Sequence, residues 1–199
     1  MTKLVLKTIA ITLVSVLVTC LIAFGALALF VPATVARFFD GMGSSSVAVF
    51  FYEKQYRKTD DIDDLTLLVI KANGDSVKMQ SYLEELIERD DFENYCTSLN
   101  DNDQTGFDSR EYYYGALVGS MTENGDFVKA ISVGVDYVKD YGYTELNPLR
   151  VLLDKVSDDN GKERLTALKD GVQSVITSLD GEQLDMAQLD ITAIDALIG

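Results

Sequence analysis

The sequence predicts an all-α protein: an N-terminal transmembrane helix, then a stack of antiparallel helical hairpins forming an α-solenoid or a helical bundle. Three observations carry this expectation. Residues 8–36 contain no charged side chain, and residues 8–31 are strongly apolar. Beyond them, apolar residues recur at helical spacing in one segment after another, while strand signals are scarce and the whole chain has only two prolines. Finally, the hexapeptide Asn-Gly-Asp-Ser-Val-Lys at residues 73–78 returns as Asn-Gly-Asp-Phe-Val-Lys at residues 124–129.

The apolar segment comes first. A helix crosses a bilayer with about 20 apolar residues, whereas the core of a secretory signal peptide runs about 7–15. Ala26-Leu27-Ala28 has the form of a cleavage site, but the length of the run favours an uncleaved anchor over residues 1–37, with residues 8–31 in the lipid bilayer. Cys20 follows Thr19 deep inside the run, which speaks against a lipid-bearing N-terminal cysteine. Lys3, Lys7 and the amino terminus flank one end, and only Arg37 lies close to the other. Basic flanks stay in the cytoplasm. The expectation is therefore a single-pass protein of the cell membrane, with its N-terminus cytoplasmic and its remaining domain extracytoplasmic.

Charge and composition then narrow the function. Beyond Phe39 the chain carries all 32 acidic and 14 of the 17 basic residues, a net charge of −18. Such a surface disfavours nucleic acid and anionic headgroups and suits a basic partner. There is no histidine, which removes Ser-His-Asp and Cys-His catalysis and most zinc sites. No glycine loop of the Walker or dinucleotide type is present. A carboxylate pair can hydrolyse a glycoside, but nothing singles out one pair among 32 acids. The expectation is a protein that is not an enzyme and carries no cofactor. Cys96 is the only thiol outside the apolar run, so no disulfide forms there, and it reads as a small packing residue.

The rest of the chain follows in order. Residues 38–46, ending in Gly41-Met42-Gly43-Ser44-Ser45-Ser46, read as a flexible joint whose serines cap the next helix. Residues 47–199 then form a helical-repeat domain. Val47, Phe50 and Phe51 share a face, and Asp61, Asp63 and Asp64 open the next helix, where its dipole favours acids. In each copy of the hexapeptide, one amphipathic run ends at Asn-Gly and another begins after Asp. Glycine closes a helix in the left-handed conformation, and aspartate accepts hydrogen bonds from the free amides of the next. Met79, Leu83, Leu86 and Ile87 follow the first copy; Phe127, Ile131, Val135 and Val138 follow the second. Both stretches read as helix, tight turn, helix. Asn147-Pro148 starts a further helix. A turn at Ser157-Asp158-Asp159-Asn160-Gly161 separates it from a stripe running Leu165, Leu168, Val172, Val175 and Leu179, closed by Asp180-Gly181. The count comes to about nine helices after the joint, by this spacing.

The second copy also carries a resemblance. Tyr114, Leu117, Met121, Gly125, Phe127 and Ala130 stand where tetratricopeptide repeats place an aromatic, a leucine, a large residue, the turn glycine, an aromatic and a small alanine. Residues 111–141 thus resemble a tetratricopeptide-type hairpin. They depart at Val118, where the repeat has a small residue, and at Gly142, where a proline is common. The resemblance implies stacked hairpins that present a surface for protein–protein interaction.

Two constellations are candidate sites. Residues 101–112 approach an EF-hand loop: Asp101, Asp103, Thr105 and Ser109 stand at oxygen-ligand positions and Gly106 at the turn. Tyr112 occupies the place of the bidentate glutamate, with Glu111 one residue early, so calcium binding is expected to be weak. The plainer reading is a polar link whose Asp108 or Ser109 caps the next helix. The second constellation is a group of tyrosines. Tyr114 and Tyr137 read as core, whereas Tyr112, Tyr113, Tyr141 and Tyr143 are candidates for a peptide-binding groove, because tyrosine offers rigid contact area with a polar tip. The function these features imply is a membrane-tethered scaffold for a protein or peptide partner at the cell envelope, with a weak calcium-binding envelope protein as the alternative.

Overall fold

The computed structural model describes residues 2–102, 108–157 and 161–199. Among the described residues there are eleven α-helices, one 3-10 turn and no strand. The chain divides into two compact units, Met1–Lys71 and Ala72–Gly199.

The first unit begins with α1 (Thr2–Phe30). Its segment Lys7–Phe30 is long and apolar enough to cross a membrane, with a mean hydropathy of 2.7 and only 6% of its most apolar window buried. At 1.5 Å per residue this segment is about 36 Å long. Pro32 then occupies the first position of α2 (Pro32–Gly41), where its missing amide hydrogen costs nothing. Gly43, at a φ of +75°, reverses the chain, and α3 (Ser45–Thr59) returns against α2. Asp60 closes α3 in the left-handed conformation. Asp61 accepts from the amide of Asp63 at 2.8 Å to open α4 (Ile62–Lys71), which packs on α3.

Phenylalanines seal this unit. Phe24 of α1 meets Phe39 and Phe51 edge-on at 6.1 and 6.3 Å, and the latter two stack at 6.0 Å. The expected joint over residues 38–46 is thus the packed end of a helix, a tight turn and the start of another. Ser44 stands at the N-cap of α3 with no side-chain capping bond, contrary to the expected role of the serines.

The second unit holds α5 (Ser76–Ile87), α6 (Phe92–Asn102), α7 (Ser109–Glu123), α8 (Phe127–Tyr141), α9 (Pro148–Ser157), α10 (Lys162–Val175) and α11 (Gly181–Ile198), with the 3-10 turn Ile176–Ser178 before the last. Each helix from α7 on packs against the next and the next but one, and α5 and α6 both pack on α7. Leu83, Leu86, Phe92, Cys96, Leu117, Met121, Leu152, Leu168 and Ile194 are buried in the core. Helices approach closely where glycine permits it. A Cβ on Gly171 of α10 would lie 2.6 Å from Ile131 of α8, and one on Gly134 of α8 would lie 2.7 Å from Leu149 of α9.

The repeated turn appears in both copies, but the copies are used differently. Gly74 and Gly125 take φ values of +96° and +89°, as a helix-closing glycine does. The first copy falls where the chain leaves one unit for the other, so of the two copies the second alone joins two helices, α7 and α8, within one unit. Asp75 caps α5 by accepting from the amide of Lys78 at 3.1 Å. Asp126 makes no such bond: its ψ of 42° stops short of the extended backbone that aims a capping side chain at the helix amides. The cap that is fully used is Asn147. It is completely buried and accepts from the amides of Leu149 and Arg150 at 3.0 and 3.3 Å at the start of α9. Of the turn expected at residues 157–161, residues 158–160 lie outside the described residues.

Candidate functional site

Helix spacing builds the site. Glu84 of α5 and Glu88, which caps its C-terminus, stand four residues apart and so share a face; on α8, Asp136 and Asp140 do the same. Together with Ile87, Tyr114, Leu117, Val133 and Tyr137, these four acids line a groove of about 170 Å³ in the second unit. Its floor is apolar and aromatic and its rim is acidic. Lys129 of α8 reaches Glu84 at 2.7 Å and Lys139 reaches Asp136 at 3.0 Å. The Lys129 hydrogen bond holds the Glu84 carboxyl below the usual carboxylate range, against a smaller opposing effect of burial. Glu88 and Asp140 are exposed and form no ion pair among the described residues.

The floor continues into a tyrosine cluster. The rings of Tyr114 and Tyr137 lie 5.0 Å apart, those of Tyr137 and Tyr141 4.9 Å, and those of Tyr114 and Tyr141 6.1 Å. Arg110 sits over the Tyr141 ring at 5.7 Å and donates to Glu93 at 2.8 Å. The Tyr141 hydroxyl donates to the same carboxylate. Burial raises the Tyr137 and Tyr141 phenols well above their ordinary range, so both are neutral at physiological pH. Burial likewise pushes the Cys96 thiol up to about 12, which keeps it protonated and unreactive.

The tyrosines expected on a groove separate into two groups. Tyr112 is half exposed and lines a second, apolar hollow of about 260 Å³ with Glu111, Gly115, Ala116, Leu146 and Val151. Tyr141 is half-buried in the cluster just described. Tyr113 and Tyr143 are core residues, a correction to the sequence expectation. Tyr113 packs edge-on against Phe92 at 5.9 Å. The Tyr143 hydroxyl donates to Asp190 of α11 at 2.7 Å, inside the protein. In α7 three successive tyrosines point about 100° apart, so some turn inward whatever their polarity.

Of the expected calcium ligands, Asp103 and Thr105 lie outside the described residues. Asp101 is exposed in the last turn of α6, and Ser109 is the first residue of α7. Asp108 performs the capping role instead, accepting from the amide of Arg110 at 2.9 Å. Burial raises its carboxyl, but hydrogen bonds from Asn100 and the Arg110 amide, with the Arg110 charge, outweigh that and hold it below the usual range. Asn100 also accepts from the Ser109 amide at 2.8 Å, tying α6 to the start of α7. No three carboxylate or thiol groups converge as a metal site among the described residues.

The acidic rim was not singled out from the sequence. The available signal was a pair of acids at i, i+4 on α8 and another at the C-terminal end of α5, each the second helix of a repeat copy. Comparison of the chain with protein-family models, with curated proteins and with solved structures finds no match.

Proposed function

We propose that this protein is a membrane-tethered helical-repeat scaffold that holds a basic protein or peptide at the cell envelope. In this reading α1 is a single-pass anchor with its N-terminus in the cytoplasm, and the second unit is displayed on the outside. The observation that carries the proposal is the groove between α5, α7 and α8: an apolar, tyrosine-bearing floor under Glu84, Glu88, Asp136 and Asp140. A groove of this kind binds an extended segment through its apolar side chains and selects for lysine or arginine at its rim. Neighbour-to-neighbour packing from α7 to α11 supports the repeat reading, because stacked hairpins bury their apolar faces on adjacent hairpins.

The test is binding of two labelled peptides of equal length, one lysine-rich and one glutamate-rich, to the full chain in nanodiscs. The lysine-rich peptide should bind with an affinity that falls as salt rises. The double variant Glu88→Gln, Asp140→Asn should weaken it about fivefold, as expected for two exposed charges. Equal affinity for both peptides, or no change in the double variant, rejects the groove as the docking site.

A further inference from the structure

The first unit carries an apolar surface that its own packing leaves uncovered. On α2, Phe38 and Met42 beyond its end are 60% and 62% exposed; on α3, Val47 and Phe50 are 38% and 57% exposed. Phe38 and Met42 stand four residues apart and Val47 and Phe50 three, so each pair shares one helix face. This surface adjoins α1. Phe38 lines a hollow of about 260 Å³ with Phe24 and Leu27 of α1 and with Thr34 and Val35. The hairpin also lies beside the last turns of α1 and not simply beyond its end. Phe24, which touches Phe39 and Phe51, stands six residues before the terminus of α1 at Phe30. Six residues of helix are about 9 Å, within the depth at which interfacial helices insert into the headgroup and acyl boundary.

The polar groups of this unit suit the same place. Lys58 donates to the carbonyl of Phe30 at 2.8 Å, so a long basic side chain satisfies an orphan carbonyl at the end of α1. Arg37, Arg57 and Lys58 are exposed on the same two helices. The unit has seven basic and six acidic residues, a net charge of +1, and the repulsion from anionic headgroups expected of the strongly acidic chain does not apply to it. Apolar aromatics with basic side chains on short amphipathic helices are the composition of a membrane-surface element.

We propose that the α2–α3 hairpin is a lipid-facing collar: Phe38, Met42, Val47 and Phe50 enter the interfacial layer of the bilayer around the point where α1 emerges. The collar rests on the reading of α1 as a membrane anchor, and the two are tested apart. The full chain with Cys20→Ser is reconstituted into vesicles of phosphatidylcholine and phosphatidylglycerol, with or without brominated acyl chains. A small fluorophore is attached in turn at Phe38→Cys, Met42→Cys, Phe50→Cys, Leu17→Cys and Val128→Cys; Cys96 is buried and stays unlabelled. Helix content is checked by circular dichroism for each.

Brominated lipid should remove about half of the emission at positions 38, 42 and 50, and more at 17, the depth of an interfacial and a spanning residue respectively. It should leave position 128, which is 77% exposed in the second unit, unchanged. Quenching at 17 with none at 38, 42 and 50 overturns the collar and leaves the anchor standing. Absence of quenching at 17 overturns the anchor, and the collar with it. The three collar positions are independent reporters, so a variant that loses helix content is replaced by the other two.

Discussion

The two units solve opposite problems with the same secondary structure. Residues 1–71 carry a net charge of +1, and residues 72–199, with ten basic and 26 acidic residues, carry −16. In the first unit, large apolar side chains such as Phe38, Met42 and Phe50 remain exposed around a small phenylalanine core. In the second, Phe92, Tyr137 and Tyr143 are fully buried, and the surface is acidic. Apart from α1 with 29 residues and α11 with 18, helices of ten to fifteen residues serve both. What differs is the chemistry of the outward faces. A helix count alone would place both in one domain, as the expectation of a single domain over residues 47–199 does. The packing puts the boundary between Lys71 and Ala72, just before the first copy of the repeated turn.

The largest effects should come from breaking the interior of the second unit while leaving the first alone. Asp190 is buried and receives both the Tyr143 hydroxyl at 2.7 Å and Arg150 at 3.0 Å. Asp190→Ala strands a buried phenol and a half-buried guanidinium. It should cost about 3 kcal/mol, at the lower end for a broken buried pair because Arg150 keeps some solvent. Urea unfolding followed by a fluorophore at position 128 in the second unit should shift accordingly, while a fluorophore at position 38 should report no change. Loss of both signals together would mean that the two units are one cooperative body.

Gly142→Ala should follow at about 2 kcal/mol, measured the same way. Gly142 has a φ of +90° and a ψ of 175°, a region essentially closed to other residues. A Cβ there would also lie 2.8 Å from the Gln183 amide. That amide's oxygen accepts from the Tyr143 amide at 3.1 Å, so the strain would reach the same corner that Asp190 holds.

Much of the fold was legible because its signals are local. The all-α class, the apolar first helix, the left-handed glycines at 74 and 125 and the Asn147-Pro148 helix start each depend on a few neighbouring residues, and each is present. The misreadings concern contacts between residues far apart in the chain. Tyr143 is buried because Asp190, 47 residues on, receives its hydroxyl. The groove forms because α5 and α8 come together, with Lys129 reaching Glu84 from 45 residues away. Nothing within one amphipathic helix records which other helix will face it. The repeat shows the same limit. Asn73 and Asn124 are the same letter in the same turn, yet the side chain of Asn124 donates to the Ser76 carbonyl at 3.1 Å and to Gln80 at 2.6 Å, and it accepts from the Ser76 hydroxyl at 2.6 Å. Asn73 is exposed. Asn124→Ala should therefore cost about 1.5 kcal/mol in urea unfolding, for the loss of a half-buried cluster of hydrogen bonds. Asn73→Ala should stay within about 0.5 kcal/mol, as an exposed substitution does. Equal costs would make the asparagines mere turn residues in both places.

The smallest effects come from titration, because each unit holds its own partly exposed charge pairs. In the second unit the carboxyls of Glu84, Asp91 and Asp108 are held below the usual range; for Asp91 the chief cause is the Arg89 side chain, which donates to it at 2.8 and 3.0 Å. A depressed carboxyl stabilises above its unfolded pKa of about 4, and that contribution is lost as pH falls through the folded value. In the first unit the hydrogen bond from Lys71 to Asp40 raises the ammonium above its ordinary range, against an opposing effect of burial. A raised lysine stabilises below its unfolded pKa, and that contribution is lost as pH rises through the folded value. Each pair is partly solvent-exposed and should be worth under about 1 kcal/mol. Lowering the pH from 6 to about 3 should therefore bring the urea midpoint of the second unit down. Raising it past the lysine range, about 10.4, should weaken the first unit through Lys71 and the second through Lys129 and the buried Tyr137, all raised above their ordinary range, and Lys71→Met should remove only the first unit's alkaline step. An acid transition that moves in Lys71→Met would mean that the two sets of charges are coupled across the boundary at residue 72.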